Sequence, residues 1–202
     1  MTAAIACPGC DLLVDVGHLH DGDSAYCPRC GHFLTRYRSD AYARVLSFSI
    51  AALILLLAAN AYPFLSFSAN GLESVMSLRQ TPGALWVNGM EAVAFMVAAF
   101  IIVIPAIVLI LHLLLCLPLS QGRRVAWLTP AAKAIFLLES WAMVEVFLIG
   151  VIVSLVKISA MATVVLGISF WAYAAFTVCF TLAVSSLDRF QCWEDIEALA
   201  QT

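Results

Sequence analysis

The sequence predicts an all-α integral membrane protein with four transmembrane helices and an N-terminal zinc-ribbon-like module, and three observations carry that prediction. Hydrophobic residues make up 63% of the 202-residue chain and charged residues 11%, with a mean hydropathy of +0.99. A soluble domain needs far more polar surface than this composition supplies. Four apolar stretches each reach the roughly 20 residues needed to cross a bilayer. Finally, the first forty residues differ from the rest, being polar and carrying two C-x2-C pairs. The net charge of −3 is small and mixed in sign, which argues against nucleic acid as a partner.

Residues 1–40 form the predicted module. The chain opens Met1-Thr2-Ala3-Ala4-Ile5-Ala6 with neither a basic n-region nor a long apolar run, so it does not read as a secretory signal peptide. Cys7-Pro8-Gly9-Cys10 and Cys27-Pro28-Arg29-Cys30-Gly31 are separated by sixteen residues, a spacing that reads as a closed structural Zn2+ site with Cys7, Cys10, Cys27 and Cys30 as ligands. Proline stiffens each turn and Gly31 permits close backbone approach. A redox dithiol is the competing reading, but such a dithiol occurs singly in a strand-to-helix context. His18, His20 and His32 read as solvated loop histidines. The remaining thiols, Cys116, Cys179 and Cys192, read as small buried hydrophobes or an ordinary reduced thiol.

Residues 41–187 form the predicted membrane domain, with spans at about 45–67, 92–117, 134–156 and 160–185, followed by a tail at 188–202. The third and fourth spans are separated by so few residues that a tight hairpin at Lys157 is expected. Arg36, Arg38, Arg44, Arg123, Arg124, Lys133 and Arg189 fall on one side of the spans, against Arg79 and Lys157 on the other. Both termini and the module are therefore expected in the cytoplasm, with the Ser68 to Glu91 loop and the Lys157 hairpin outside.

Ionisable residues within spans are costly and are functional candidates by default. Glu139 and Glu145 both lie in the third span, with Glu145 near its middle, and a separation of six positions is not expected to put them on one narrow face. The fourth span carries a slowly drifting polar stripe of Ser169, Tyr173, Thr177, Thr181 and Ser185. Asn60, Glu145, Ser169, Tyr173 and Thr177 are therefore predicted to form an intramembrane polar cluster. Interhelical hydrogen bonding that only holds the bundle together accounts for the stripe equally well. His112 lies at a depth similar to Glu139, and the two are a possible pair. Pro63 is expected to kink the first helix and free the carbonyl of Ala59, with Asn60 near enough to help; Pro105 is expected to kink the second.

Several of these segments in order resemble the paraquat-inducible protein A family of bacterial inner-membrane proteins. They are the twin C-P-x-C knuckles, Ala59-Asn60-Ala61-Tyr62-Pro63, Trp141-x-Met143-x-Glu145-Val146-Phe147, Val156-Lys157-Ile158, and Asp188-Arg189 with Trp193. The resemblance implies an inner-membrane, non-enzymatic component that passes phospholipid to or from a periplasmic MCE-domain protein forming a tunnel or bridge. Lys157 would then contact lipid or that partner. Better-known members carry two such modules where this sequence shows one, so a second copy or second module is an expected partner. Two other functions remain open on the residues: a membrane thiol-disulfide oxidoreductase using the C-x2-C pairs, and a membrane scaffold or stress sensor that recruits a cytoplasmic protein through the module.

Overall fold

The computed structural model describes residues 4–17, 19–69, 72–77, 80–123, 125–139, 142, 144–158 and 163–201. The module consists of two antiparallel hairpins. In the first, β1 (Ala4–Ala6) pairs with β2 (Leu13–Asp15); in the second, β3 (Ser24–Tyr26) pairs with β4 (Phe33–Arg36). Each hairpin is closed by one C-x2-C turn, and the two turns repeat one backbone design. The residue after the second cysteine is left-handed in both, Asp11 at φ 55° and Gly31 at φ 71°. Its N–H returns to the carbonyl of the first cysteine, at 2.9 Å from Asp11 to Cys7 and 2.9 Å from Gly31 to Cys27. Glycine enters this region freely, and aspartate is among the few other residues that tolerate it.

The first span, α1 (Ala41–Ala61), ends earlier than the expected Phe67. Pro63 is the reason, because the residue before a proline is driven out of the α region, and Tyr62 is extended at φ −103°, ψ 159°. The chain continues as a strand, β5 (Pro63–Ala69), which pairs antiparallel with β6 (Leu72–Ser77). Pro63 therefore terminates the first helix and does not kink it.

A short helix, α2 (Gln80–Val87), leads to the second span. That span comprises α3 (Glu91–Ala98), a π-helical turn (Ala99–Val103) and α4 (Ile104–Ser120). The N–H of Ile104 bonds to the carbonyl of Ala99, five residues back. Pro105 follows directly, so the widened turn absorbs the position where the proline lacks a donor.

The third span is interrupted. α5 (Leu128–Glu139) and α6 (Val144–Ile158) are separate helices, and Ala142 between them is not helical. The connection after α6 contains a strand, β7 (Thr163–Leu166), so the tight hairpin expected at Lys157 is replaced by a longer link. β7 pairs antiparallel with β5, giving a sheet of order β6-β5-β7 at the end of the bundle opposite the module. The fourth span, α7 (Ile168–Ser186), accordingly starts at Ile168 and not at Ala160. A last helix, α8 (Arg189–Gln201), follows.

Four helical stretches are long and apolar enough to cross a membrane among the described residues: Ala41–Ala61, Glu91–Ser120, Leu128–Lys157 and Ile168–Ser186. On α1 the buried positions Ser49, Ala52, Leu56 and Ala59 form one face, and its small residues let α7 approach closely, as membrane helix packing requires. The opposite face of α1 presents Ile50, Ile54 and Leu57, each about half exposed or more. An apolar stripe of that kind is unfavourable in water and suits lipid. The core has two parts. One joins α1, α4 and α7 around Leu56, Leu109, Tyr173 and Phe176; the other joins α4, α5 and α8 around Leu115, Ile135 and Cys192 at the module end.

Candidate metal centre and intramembrane polar sites

The four cysteines come together. Their Sγ atoms all lie within 4.8 Å of one another, with Cys7 and Cys30 at 3.4 Å and Cys10 and Cys27 at 3.5 Å. A tetrahedral thiolate shell with metal–sulfur bonds of about 2.3 Å has sulfurs roughly 3.8 Å apart, so the arrangement fits one metal ion. A Cβ at Gly9 would lie 3.6 Å from the Cys30 sulfur, an ordinary contact, so the turn's shape does not depend on glycine there.

The thiols respond to one another electrostatically. Burial opposes ionisation of Cys27, but the backbone N–H groups of Cys30 and Arg29 and the neighbouring thiols outweigh it and lower Cys27 to about 6. At Cys30 the N–H of His32 favours the thiolate, yet the Cys7 thiol, burial and the other cysteines raise it to about 12. Cys27 is thus favoured as a thiolate and Cys30 disfavoured, and a cation among the four sulfurs would favour the thiolate form. His32 is exposed, His20 offers its backbone N–H to Asp23 Oδ2 at 3.0 Å, and His18 lies outside the described residues.

The module docks on the bundle through backbone groups. Gln191 of α8 takes the N–H of Arg38 on Oε1 at 3.4 Å and gives its Nε2–H to the Arg38 carbonyl at 2.9 Å. The Tyr42 hydroxyl bonds to Asp195. The thiol of Cys192, buried beside these contacts, is pushed up to about 12 by burial and by the carboxylates of Asp195, Asp188 and Glu139, so it is unreactive near neutral pH.

Inside the bundle the predicted polar cluster divides between two sites, and the possible pair of His112 and Glu139 makes a third. At the sheet end, Ser169 donates its hydroxyl to the carbonyl of Ala59. This is the carbonyl that Pro63 leaves without an amide partner, and the donor comes from α7. Asn60 instead donates Nδ2–H to Leu56 O of its own helix at 2.8 Å.

Further along α7, Tyr173 is fully buried against Phe147 and Phe176, with ring centroids 5.3 Å away in each case. Thr177 bonds to the Tyr173 carbonyl at 2.9 Å. Neither is hydrogen-bonded to Glu145. Glu145 lies in the first turn of α6, where its Oε1 is 2.6 Å from the Thr181 hydroxyl, itself 2.9 Å from Thr177 O. Because α6 restarts after the break, Glu139 and Glu145 line one cleft of about 290 Å³ with Thr181 and Ser185. The six-residue spacing pointed away from this proximity, since it assumed one continuous helix.

The third site is His112 with Glu139. The imidazole is fully buried, its Nδ1 is 2.8 Å from Val108 O, and its Nε2 is 3.4 Å from Glu139 Oε1. Nδ1 must carry the proton to donate to a carbonyl, so Nε2 and the carboxylate face each other as two acceptors unless a further proton sits between them. Lys157 stands exposed in the last turn of α6.

The fold and these sites define a four-span membrane protein whose bundle carries a cysteine metal module on one end and a three-stranded sheet on the other. Residues 42–197 match the model of the family described as paraquat-inducible protein A, and the chain belongs to that family. It is 33% identical over 201 residues to "Intermembrane transport protein PqiA" of Escherichia coli K12, covering 98% of this chain and 47% of that protein. It is 24% identical to "Lipophilic envelope-spanning tunnel protein A" of the same organism, covering 93% and 43%. To a "Probable intermembrane transport protein" of Haemophilus influenzae it is 25% identical, covering 95% and 45%. The chain thus spans about half the length of the curated relatives it matches. No solved structure matches it.

Proposed function

We propose that the protein is a non-enzymatic component of envelope lipid transport in a bacterial inner membrane, exchanging phospholipid with a periplasmic MCE-domain protein. The observation that carries this reading is similarity along nearly the whole chain to relatives named for intermembrane transport and for an envelope-spanning tunnel. The module would hold one Zn2+ as a structural ion, since four thiolates leave no open coordination position. The excess of arginine and lysine at the module end favours a cytoplasmic module and termini. The sheet would then face the periplasm, with Lys157 near it as a cation for lipid phosphate or an acidic partner group. A second copy or second module of the family would complete the assembly.

Within the bundle, the cleft of Glu139, Glu145, Thr181 and Ser185 is the polar surface we assign to the transport path. The single hydroxyl proton of Thr181 is shared between two acceptors, Glu145 Oε1 at 2.6 Å and the Thr177 carbonyl at 2.9 Å. The test is Glu145→Gln, which keeps shape and hydrogen bonding but cannot ionise. Loss of envelope-barrier function at normal expression is the expected result. Normal function would leave Glu145 only a structural role. Co-purification with an MCE-domain protein tests the partner, and failure to recover one from intact envelopes under mild detergent would overturn that part of the reading.

A further inference from the structure

Between the module and the bundle lies a cleft of about 720 Å³, within the size range of small-molecule sites. Its wall holds four arginines, Arg36, Arg38, Arg44 and Arg189, against one carboxylate, Asp188. Asp188 is occupied with backbone groups. Its Oδ1 accepts the N–H of Phe190 at 2.9 Å and of Gln191 at 3.2 Å, and its Oδ2 accepts the N–H of Arg36 at 3.5 Å.

Two of the arginines are also committed. Arg44 Nε is 2.7 Å from Asp40 Oδ2, and Arg189 lies 4.7 Å over the Phe136 ring with Nη2 3.4 Å from the Phe136 carbonyl. The Arg36 and Arg38 guanidiniums have no carboxylate within ion-pairing distance among the described residues. The local field is positive enough to reach Asp21, whose carboxyl is held low first by the Ser39 N–H and then by Arg38 and Arg44.

The spans contribute an apolar part of the wall, Phe48 of α1 and Leu182 and Val184 of α7, beside apolar side chains of the module and the polar Ser185, Ser186 and Gln191. Arg44 is the fourth residue of α1, a helix of 21 residues whose length of about 31 Å matches the bilayer core. The arginines therefore sit at headgroup level, above an apolar wall at acyl-chain level.

We propose that this cleft binds one anionic phospholipid from the leaflet on the module side, its phosphate held by Arg36 and Arg38 and its acyl chains along Phe48 and Leu182. A free phosphate would share the arginines but gain nothing from the apolar wall, so the site suits a lipid. Bidentate contact of guanidinium with phosphate suits arginine in particular. Because the cleft is bounded by both the module and α7, an occupying lipid would tie the two together. The proposal does not depend on the transport reading, since a lipid held here is retained whether or not the protein moves it.

The test is native mass spectrometry of the full chain in mild detergent after incubation with equal amounts of phosphatidylglycerol and phosphatidylcholine. One phosphatidylglycerol should be retained about tenfold in preference. The double variant R36Q/R38Q should lose the preference while keeping its metal, whereas R123Q/K133Q, which removes two charges at the same end outside the cleft, should keep it. A measurement on the unaltered protein is independent of variant folding: the preference should decline as salt is raised. Equal retention of the two lipids, a preference indifferent to salt, or an equal loss in both double variants would overturn the proposal. Displacement of the lipid by inorganic phosphate, at an ionic strength where matched sodium chloride leaves it bound, would overturn it in favour of a free-anion site.

Discussion

The module and the membrane bundle are held together by opposite means. In the module the decisive contacts are written twice in short stretches of chain, as turns of four residues closed by a left-handed residue at Asp11 or Gly31. Its buried apolar side chains are few and small, among them Val16 and Ala25. A unit of that size gains too little from burial to fold by itself, so a metal held by the four thiolates would supply much of its stability. The bundle buries large side chains such as Tyr173, Phe176 and Leu109. Its polar contacts join residues far apart in sequence, as in Ser169 to Ala59 and Thr181 to Glu145. Damage to the module should therefore be all-or-none, and damage to the bundle graded.

The largest expected effect tests the all-or-none half. Cys27→Ala should abolish stoichiometric metal, as measured by elemental analysis, and expose the module to protease while the spans remain protected. Removing the metal from the unaltered chain with a chelator should unfold the module, remove the shifts its fold imposes on the thiols and so leave Cys7, Cys10, Cys27 and Cys30 open to alkylation at pH 8. Cys192, raised to about 12 and hence protonated there, should stay unlabelled. A folded module retaining full metal in Cys27→Ala would erase the contrast.

The intermediate effect concerns His112. Replacing it by Leu leaves the Glu139 carboxyl without its facing imidazole in a mostly buried place, a loss of about 1–3 kcal/mol measurable by thermal unfolding in detergent. The double variant H112L/E139L should recover most of that loss, because removing both polar partners costs less than orphaning one. Additive losses would show that the two residues do not interact.

The smallest effect is at the sheet end. Ser169→Ala removes the hydroxyl from the Ala59 carbonyl, and membrane hydrogen bonds of this kind average about 0.6 kcal/mol with a maximum near 1.7. A small drop in unfolding temperature with unchanged metal content is expected. A loss of metal would show that the two regions are coupled, contrary to the comparison.

Much of this was legible in the sequence, for identifiable reasons. Span composition and the paired cysteines are local properties, so the membrane class, the four long apolar helices and the sulfur quartet could be read from short windows. The freed carbonyl of Ala59 was equally readable, because a proline four residues on removes its amide donor whatever the surroundings. Its donor was not, since Ser169 lies 110 positions away. The stripe on α7 was visible as a period of four, but the sequence could not say that Thr181 would be the member to meet Glu145.

What only the tertiary structure decided is where helices stop and which polar groups meet. Hydropathy continues through Pro63, past Ala142 and across the residues before Ile168, so it cannot distinguish one long span from a helix followed by a strand. The choice is made when β5 finds β6 and β7, and when the break after α5 turns Glu139 and Glu145 toward one cleft. Those pairings are non-local, and their free energy belongs to partners brought together by the fold. The sequence by itself determined the solvent of each segment and the clustering of the four cysteines, because composition and short spacing act within one stretch of chain.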